Sequence, residues 1–174
     1  MSYHHQYLAF SKYNRLMNEK LYSAAAKLTA EQLNQDRQAF FGSIHGTLEH
    51  IFIADILWLS RFKKIPELQT LLEQLSEFPS PQQLNQRLYN DFDQLWHKRQ
   101  QLDLIIEKVV EQISHAVLEQ TFSYANLSGK TIENHLWVFL SHFFNHQTHH
   151  RGQATTLLAQ CAIDIGVTDF HLVI

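Results

Sequence analysis

A chain of 174 residues with 45% hydrophobic and 18% charged side chains has the balance of one ordinary globular domain, not of a disordered segment. Lys+Arg 14 against Asp+Glu 17 leaves a net charge of −3, so no basic excess exists to grip nucleic acid phosphates. Gly 5 and Pro 3 disfavour a many-stranded β fold, and the one cysteine, Cys161, excludes an internal disulfide and suits a reducing, cytoplasmic compartment.

The opening Met1-Ser2-Tyr3-His4-His5-Gln6 lacks the charged-then-apolar pattern of a signal peptide. No apolar run approaches the ~20 residues of a membrane helix. Tyr7, Phe10, Asn14, Met17, Leu21, Ala24 and Leu28 recur at helical spacing and predict a first helix over roughly 3–28. Thr29-Ala30-Glu31-Gln32 has the form of a capping box and predicts a short extra turn. A second helix is predicted from near Phe41-Gly42-Ser43, with Ile44, Leu48, Ile51, Asp55, Trp58 and Phe62 in its stripe; Arg61, Lys63 and Lys64 suit its C-terminus.

Pro66, Pro79 and Pro81 mark the break in the middle of the chain. Ser80-Pro81-Gln82-Gln83 reads as a helix start, and the stripe from Leu84 through Phe92, Leu102 and Ile113 supports roughly 30 helical residues. From Thr121 to Gly129 the helical period is lost, which predicts an irregular or extended connector. A fourth helix is predicted from near Thr131 to about Cys161, and the remainder to Ile174 carries a late apolar group that packs back. Helices of this kind bury their stripes only against one another. The expected fold is therefore all-α: a four-helix bundle with long connections and a short C-terminal segment packed on it, one domain over residues 1–174.

Twelve histidines against one cysteine mean that any bound metal is bound by nitrogen. On a helix, with His142 at 0°, His146 falls near 40° and His150 near 80°, so these two share a face one turn apart. A stable site needs another ligand from elsewhere, and His50 is the best donor, flanked one turn away by Gly46 and Ala54, small residues that leave room for an ion and its ligands. A triad of His142, His146 and His150 from one helix spans its rungs poorly. The stripe His135, His142 and His149 suits solvent or a partner. The bland alternative is a pair of hydrogen-bonded histidines with no ion.

The segments Ser43-Ile44-His45-Gly46-Thr47-Leu48-Glu49-His50-Ile51-Phe52-Ile53-Ala54 and Asn145-His146-Gln147-Thr148-His149-His150-Arg151-Gly152-Gln153 resemble the two signature regions of the DinB/YfiT-like metalloenzyme family. Phe10-Ser11-Lys12-Tyr13-Asn14-Arg15-Leu16-Met17-Asn18 is similar to its first helix, so the resemblance spans most of the chain. It implies a four-helix bundle and a divalent metal held by His50, His146 and His150. It also implies homodimers and, in some relatives, thiol-dependent S-transferase or isomerase activity.

Three neutral imidazoles would leave open coordination positions, the mark of a catalytic site, and would suit zinc, nickel, cobalt, iron or manganese. Gln147 stands where a helical zinc protease has its glutamate, which argues against that chemistry; no catalytic residue is assigned. Two functions are carried forward. One is a metal-dependent transferase or hydrolase acting on a small molecule, with a thiol as candidate substrate. The other is a metal- or ligand-binding stress-response bundle without turnover; a plain helical module without metal is the contrast case. Around the site, Asn14 and Asp55 are expected in structural polar contacts, Tyr124 packed or at a pocket mouth, and Gln153 orienting a ligand or water. Arg151 is expected in a salt bridge facing away from the triad, Gly152 in close backbone packing, and Cys161 in the core.

Overall fold

A computed structural model of the chain describes residues 3–126 and 128–174. Met1 and Ser2, the start of the segment read for a signal, and Leu127, inside the expected connector, lie outside the described residues. Helix α1 (Tyr3–Ala25) buries Tyr7, Met17, Leu21 and Ala24, the stripe expected of it, and ends three residues before Leu28. Helix α2 (Ala30–Asn34) opens on the predicted capping box: Gln32 N–H donates to Thr29 Oγ1 at 3.2 Å, and Thr29 N–H to Gln32 Oε1 at 2.9 Å. Helix α3 (Ile44–Phe62) is capped by Ser43, whose hydroxyl accepts from Gly46 N–H at 3.0 Å. Helix α3 is buried almost all round, its polar His45, Thr47, Glu49, His50 and Asp55 included.

Two 3-10 turns (Pro66–Leu68 and Leu71–Glu77) follow, and residues 78–91 carry no helix. Helix α4 begins only at Phe92, capped by Asp91, and runs to Gln112. The expected start at Ser80-Pro81 is thus displaced by eleven residues from Pro81 to Phe92. The physical reason lies on α3, whose side chains capture the backbone that a helix would have used. Glu49 Oε1 accepts from the N–H groups of Leu88 (2.6 Å) and Tyr89 (2.7 Å). His45 Nε2 donates to the Tyr89 carbonyl and His50 Nδ1 to the Leu84 carbonyl, both at 3.0 Å. Bonds to a buried carboxylate outweigh a local helical preference.

After the single turn α5 (His115–Leu118), the connector forms an antiparallel hairpin, β1 (Thr121–Ala125) with β2 (Thr131–His135), pairing Thr121 with His135 and Tyr124 with Ile132. Helix α6 therefore starts at Leu136, not near Thr131, and ends at Ala159. Residues 131–135 are drawn into the strand because Phe122 on the partner strand packs on Phe62 and Phe139, at ring distances of 5.9 and 5.7 Å. A last turn, α7 (Phe170–Val173), sets Phe170 against Phe10 and Tyr13.

The protein is mostly helical with this one two-stranded sheet among its described residues. Helix α1 packs against α4 and α6, and α3 against α6 and α4. Leu48, Phe52, Leu95, Leu102, Leu140 and Phe143 lie in the core between them. A polar seam crosses that core. Arg99 Nη1 donates to Asp55 Oδ2 at 2.5 Å, and its Nη2 lies 2.8 Å from Asp103 Oδ1, with all three residues at most 3% exposed. Asp55 thus has the structural partner expected of it. Asn18 and Asn14 extend the seam by donating to Asp103, at 2.9 and 3.4 Å. No helix among the described residues is long and apolar enough to cross a membrane.

Candidate metal centre

Helix α3 presents His50 towards α6, and α6 presents His146 and His150 one turn apart, so the three rings meet across the helix interface. Ring centroids are 4.3 Å apart for His146 and His150, 4.5 Å for His50 and His150, and 5.3 Å for His50 and His146. One nitrogen from each lies within 4.8 Å of the others, and two helices, α3 and α6, supply all three side chains. The Nε2 atoms of His146 and His150 are 3.1 Å apart, close to the about 3.3 Å separation of two ligands bonded at 2.0–2.1 Å to a tetrahedral ion.

Two of the three outer nitrogens are already committed. His50 Nδ1–H donates to the Leu84 carbonyl at 3.0 Å, and His150 Nδ1–H donates to Gln153 Oε1 at 2.8 Å. Each bond selects the tautomer with a bare lone pair on Nε2, the atom that faces the other rings. His50 Nε2 is buried and has no hydrogen-bond partner among the described residues. A buried lone pair without a donor is costly in a polypeptide alone and is satisfied by a cation. The donor set therefore fits a divalent transition metal.

Electrostatics agrees with the geometry. Burial, reinforced by the neighbouring His150 and His50, lowers His146 to a pKa of about 3. Burial also lowers His50 and His150, against the opposing pull of their Leu84 and Gln153 hydrogen bonds. All three imidazoles are neutral near pH 7, the state a metal ligand requires.

Two features of the site were not read from the sequence. Phe41 stacks on His50 with centroids 3.8 Å apart and planes 17° from parallel, and meets His150 edge-on at 5.5 Å. The tight Ala39–Gly42 turn brings it there, with Gly42 at φ 73°, and the Phe40-Phe41-Gly42-Ser43 run ahead of a helix cap was its only sequence signal. The role of Gly46 also differs from expectation. A Cβ there would lie 2.3 Å from the Phe41 carbonyl, so the missing side chain makes room for this loop and not for an ion. The second missed feature is the set of anchors His45 and Glu49, which hold the segment that fixes His50.

The other histidines stay outside. His135, His142 and His149 are exposed, as expected of that stripe, and His142 packs on Trp58 at 5.1 Å. Tyr124 is half-buried against Trp58 and Phe139 beneath Arg61, in its packed reading. Gln153 Oε1 accepts from His150 Nδ1–H. Cys161 is half-buried beside the core. Arg151 points away from the triad, but the expected salt bridge is corrected: among the described residues no carboxylate lies within ion-pair distance of it. It is 7% exposed and donates to Asn14 Oδ1, to Thr148 Oγ1 at 3.1 Å and to Gln147 Oε1 at 3.4 Å, because α6 seats it against the polar face of α1. Gly152 is likewise corrected, since a Cβ there would meet nothing within 4 Å.

The sequence model of the DinB family matches residues 1–171, a span that contains all three clustered histidines and their Gln153 partner. The chain belongs to the DinB family. A DinB relative, Protein DinB of Bacillus subtilis (strain 168), is 26% identical over 163 residues, covering 92% of this chain and 89% of that protein. No solved structure gives a significant match. The first and fourth long helices of this DinB chain, read from the sequence as family-like, are α1 and α6, and the signature around His50 lies on α3.

Proposed function

We propose that this DinB protein is a metal-dependent enzyme acting on a small molecule, with the ion held by His50, His146 and His150 through Nε2. In this reading the four long helices form a four-helix bundle, the chain is one domain over residues 1–174, and the protein works in the cytoplasm as a homodimer. The observation that carries the proposal is the pairing of inward-facing lone pairs with committed outer nitrogens: Leu84 holds His50, and Gln153 holds His150.

A divalent ion bound by three neutral imidazoles keeps its full charge and supplies Lewis acidity towards the sulfur of a thiol or the oxygen of a carbonyl or water. The chain supplies the rest. Gln153 and the Leu84 carbonyl orient the ligand rings, and Phe41 shields the outer face of His50 from water. A transferase of thiols suits the site better than a hydrolase, because among the described residues no carboxylate is placed as general base. Gln147 is fully buried and directed at Arg151, and Glu49 is occupied by Leu88, Tyr89 and Arg87. The same observation favours the second reading, a binding bundle without turnover.

Elemental analysis of untagged protein prepared without nickel resin tests the proposal. About one divalent ion per chain is expected, lost in His146→Ala. Metal-free wild-type protein that takes up no zinc, cobalt or nickel would refute the site. Metal-loaded protein silent towards thiols paired with electrophiles would leave the binding bundle. Light scattering reads the homodimer directly.

A further inference from the structure

The metal centre uses one face of α6. At helical spacing Ser141, Thr148 and Thr155 project about 160–180° from the midpoint of His146 and His150, and Arg151 about 120°, towards α1 and the C-terminal segment. Two adjoining cavities open there, of about 380 and 230 Å³, and Tyr13, Thr148 and Arg151 line both. The larger adds the rings of Phe10, Phe144 and Phe170; the smaller adds Met17, Leu21 and Ile165. Neither is lined by a residue of the histidine triad.

Among the described residues Arg151 is the only charged one lining either cavity. Its guanidinium, 7% exposed, is bonded to three neutral acceptors and to no carboxylate. Asp55 and Asp103 both pair with Arg99, and Asp103 reaches Arg151 only by way of Asn14. Burial lowers the Arg151 pKa to about 10 against the opposing pull of Tyr13, Asp103 and Asp55, so the guanidinium is charged near pH 7 yet has no direct counter-ion among the described residues. A buried guanidinium between aromatic walls, with hydroxyls beside it, is suited to one bidentate anion bearing an apolar body. A lone cation matches the single charge of a carboxylate better than the double charge of a phosphate.

The cover is formed by the end of the chain. Tyr13 donates to the Thr168 carbonyl at 2.5 Å, Lys20 donates to the Val167 carbonyl at 2.6 Å, and Phe170 closes edge-on over Phe10 and Tyr13 at 5.5 and 5.1 Å. Leu172 and Ile174 beyond it are 63% and 50% exposed, so the strap is held at few points and can lift.

We propose that this cleft between α1, α6 and the C-terminal strap is a second ligand site, taking a small organic carboxylate with an aromatic or aliphatic body, its carboxylate on Arg151. It stands independently of the metal centre.

Calorimetric titration of the full-length protein with 4-phenylbutyrate and its uncharged analogue 4-phenylbutan-1-ol tests it. The acid is expected to bind about tenfold tighter than the alcohol, equally with and without added zinc. Arg151→Gln should erase that preference. Because Arg151 is buried and its loss can unfold the chain, Gly152→Phe is the second variant: its Cβ starts in open space, its ring fills the smaller cavity, and both probes should lose affinity. Equal affinity for acid and alcohol, binding that requires zinc, or full affinity in Gly152→Phe would each overturn the site. So would light scattering showing that the cleft is closed by a second copy of the chain and that the probes do not compete with it.

Discussion

Replacing Arg99 by Met probes the polar seam at its centre. The guanidinium is 1% exposed and holds Asp55 and Asp103, themselves 1% and 3% exposed, at 2.5 and 2.8 Å. Methionine fills much of the same volume but leaves two carboxylates buried without a cation. Breaking a buried pair in this way costs about 3–5 kcal/mol, a large part of the about 5–15 kcal/mol that holds a domain folded. With a urea slope of about 2 kcal/mol per M, the unfolding midpoint followed by circular dichroism should fall by about 2 M. The loss should depend on pH in a fixed direction. Burial already raises both carboxyls above their ordinary value, Asp55 to about 7, and losing Arg99 removes the main influence that opposes it and pushes both higher. A raised acid folds most favourably when protonated, so the deficit relative to wild type should shrink as pH falls from about 8 to about 5. Replacing Asp55 and Asp103 by Leu together with Arg99→Met should restore most of the stability, because no charge is then left unpaired. A midpoint for Arg99→Met within about 0.5 M of wild type, or a deficit that grows on acidification, would refute the account.

Gln153→Ala removes the acceptor of His150 Nδ1–H, and zinc affinity measured by chelator competition should fall about 10–100-fold while the fold persists. His45 is fully buried and its pKa is lowered to about 4 by burial, with Arg87 acting in the same direction. Between its unfolded value near 6.5 and about 4, unfolding takes up a proton that the native ring refuses. Stability should therefore drop as pH falls, by about 1.4 kcal/mol per unit and about 3 kcal/mol in all. Urea midpoints of His45→Gln, which can still donate to Tyr89, should show a shallower acid slope than wild type. Gly46→Ala places a Cβ 2.3 Å from the Phe41 carbonyl and should cost about 1–3 kcal/mol by thermal unfolding, with Phe41 displaced from His50.

What could be read from the sequence was whatever depends on period alone. The apolar stripes located α1, α3 and α6 to within a few residues, apart from the N-terminal boundary of α6, and the i, i+4 spacing placed His146 beside His150. His50 could be singled out because it lies mid-helix beside the apolar stripe, with the small residues Gly46 and Ala54 one turn to either side. Local chemistry was also legible where its partners are local, as in the Thr29–Gln32 capping box. What stayed hidden was set by partners far along the chain. Ser80-Pro81 has every local mark of a helix start, yet Glu49, His45 and His50 hold the next residues extended from 34 to 44 positions away. Thr131-Ile132 reads equally well as helix or strand, and only pairing with Tyr124 and Ala125 decides it. Arg151 was assigned a carboxylate because charges usually find one. Its partner is the amide of Asn14, a residue 137 positions distant.

The irregular stretch before α4 has one more consequence. It reaches the triad only through a carbonyl, that of Leu84, and that carbonyl decides which nitrogen of His50 is free. The ring that would face an ion is thus steadied from its far side by an irregular stretch of chain. Lengthening or shortening that stretch by a residue or two would leave every helix intact and still turn one ligand ring out of register.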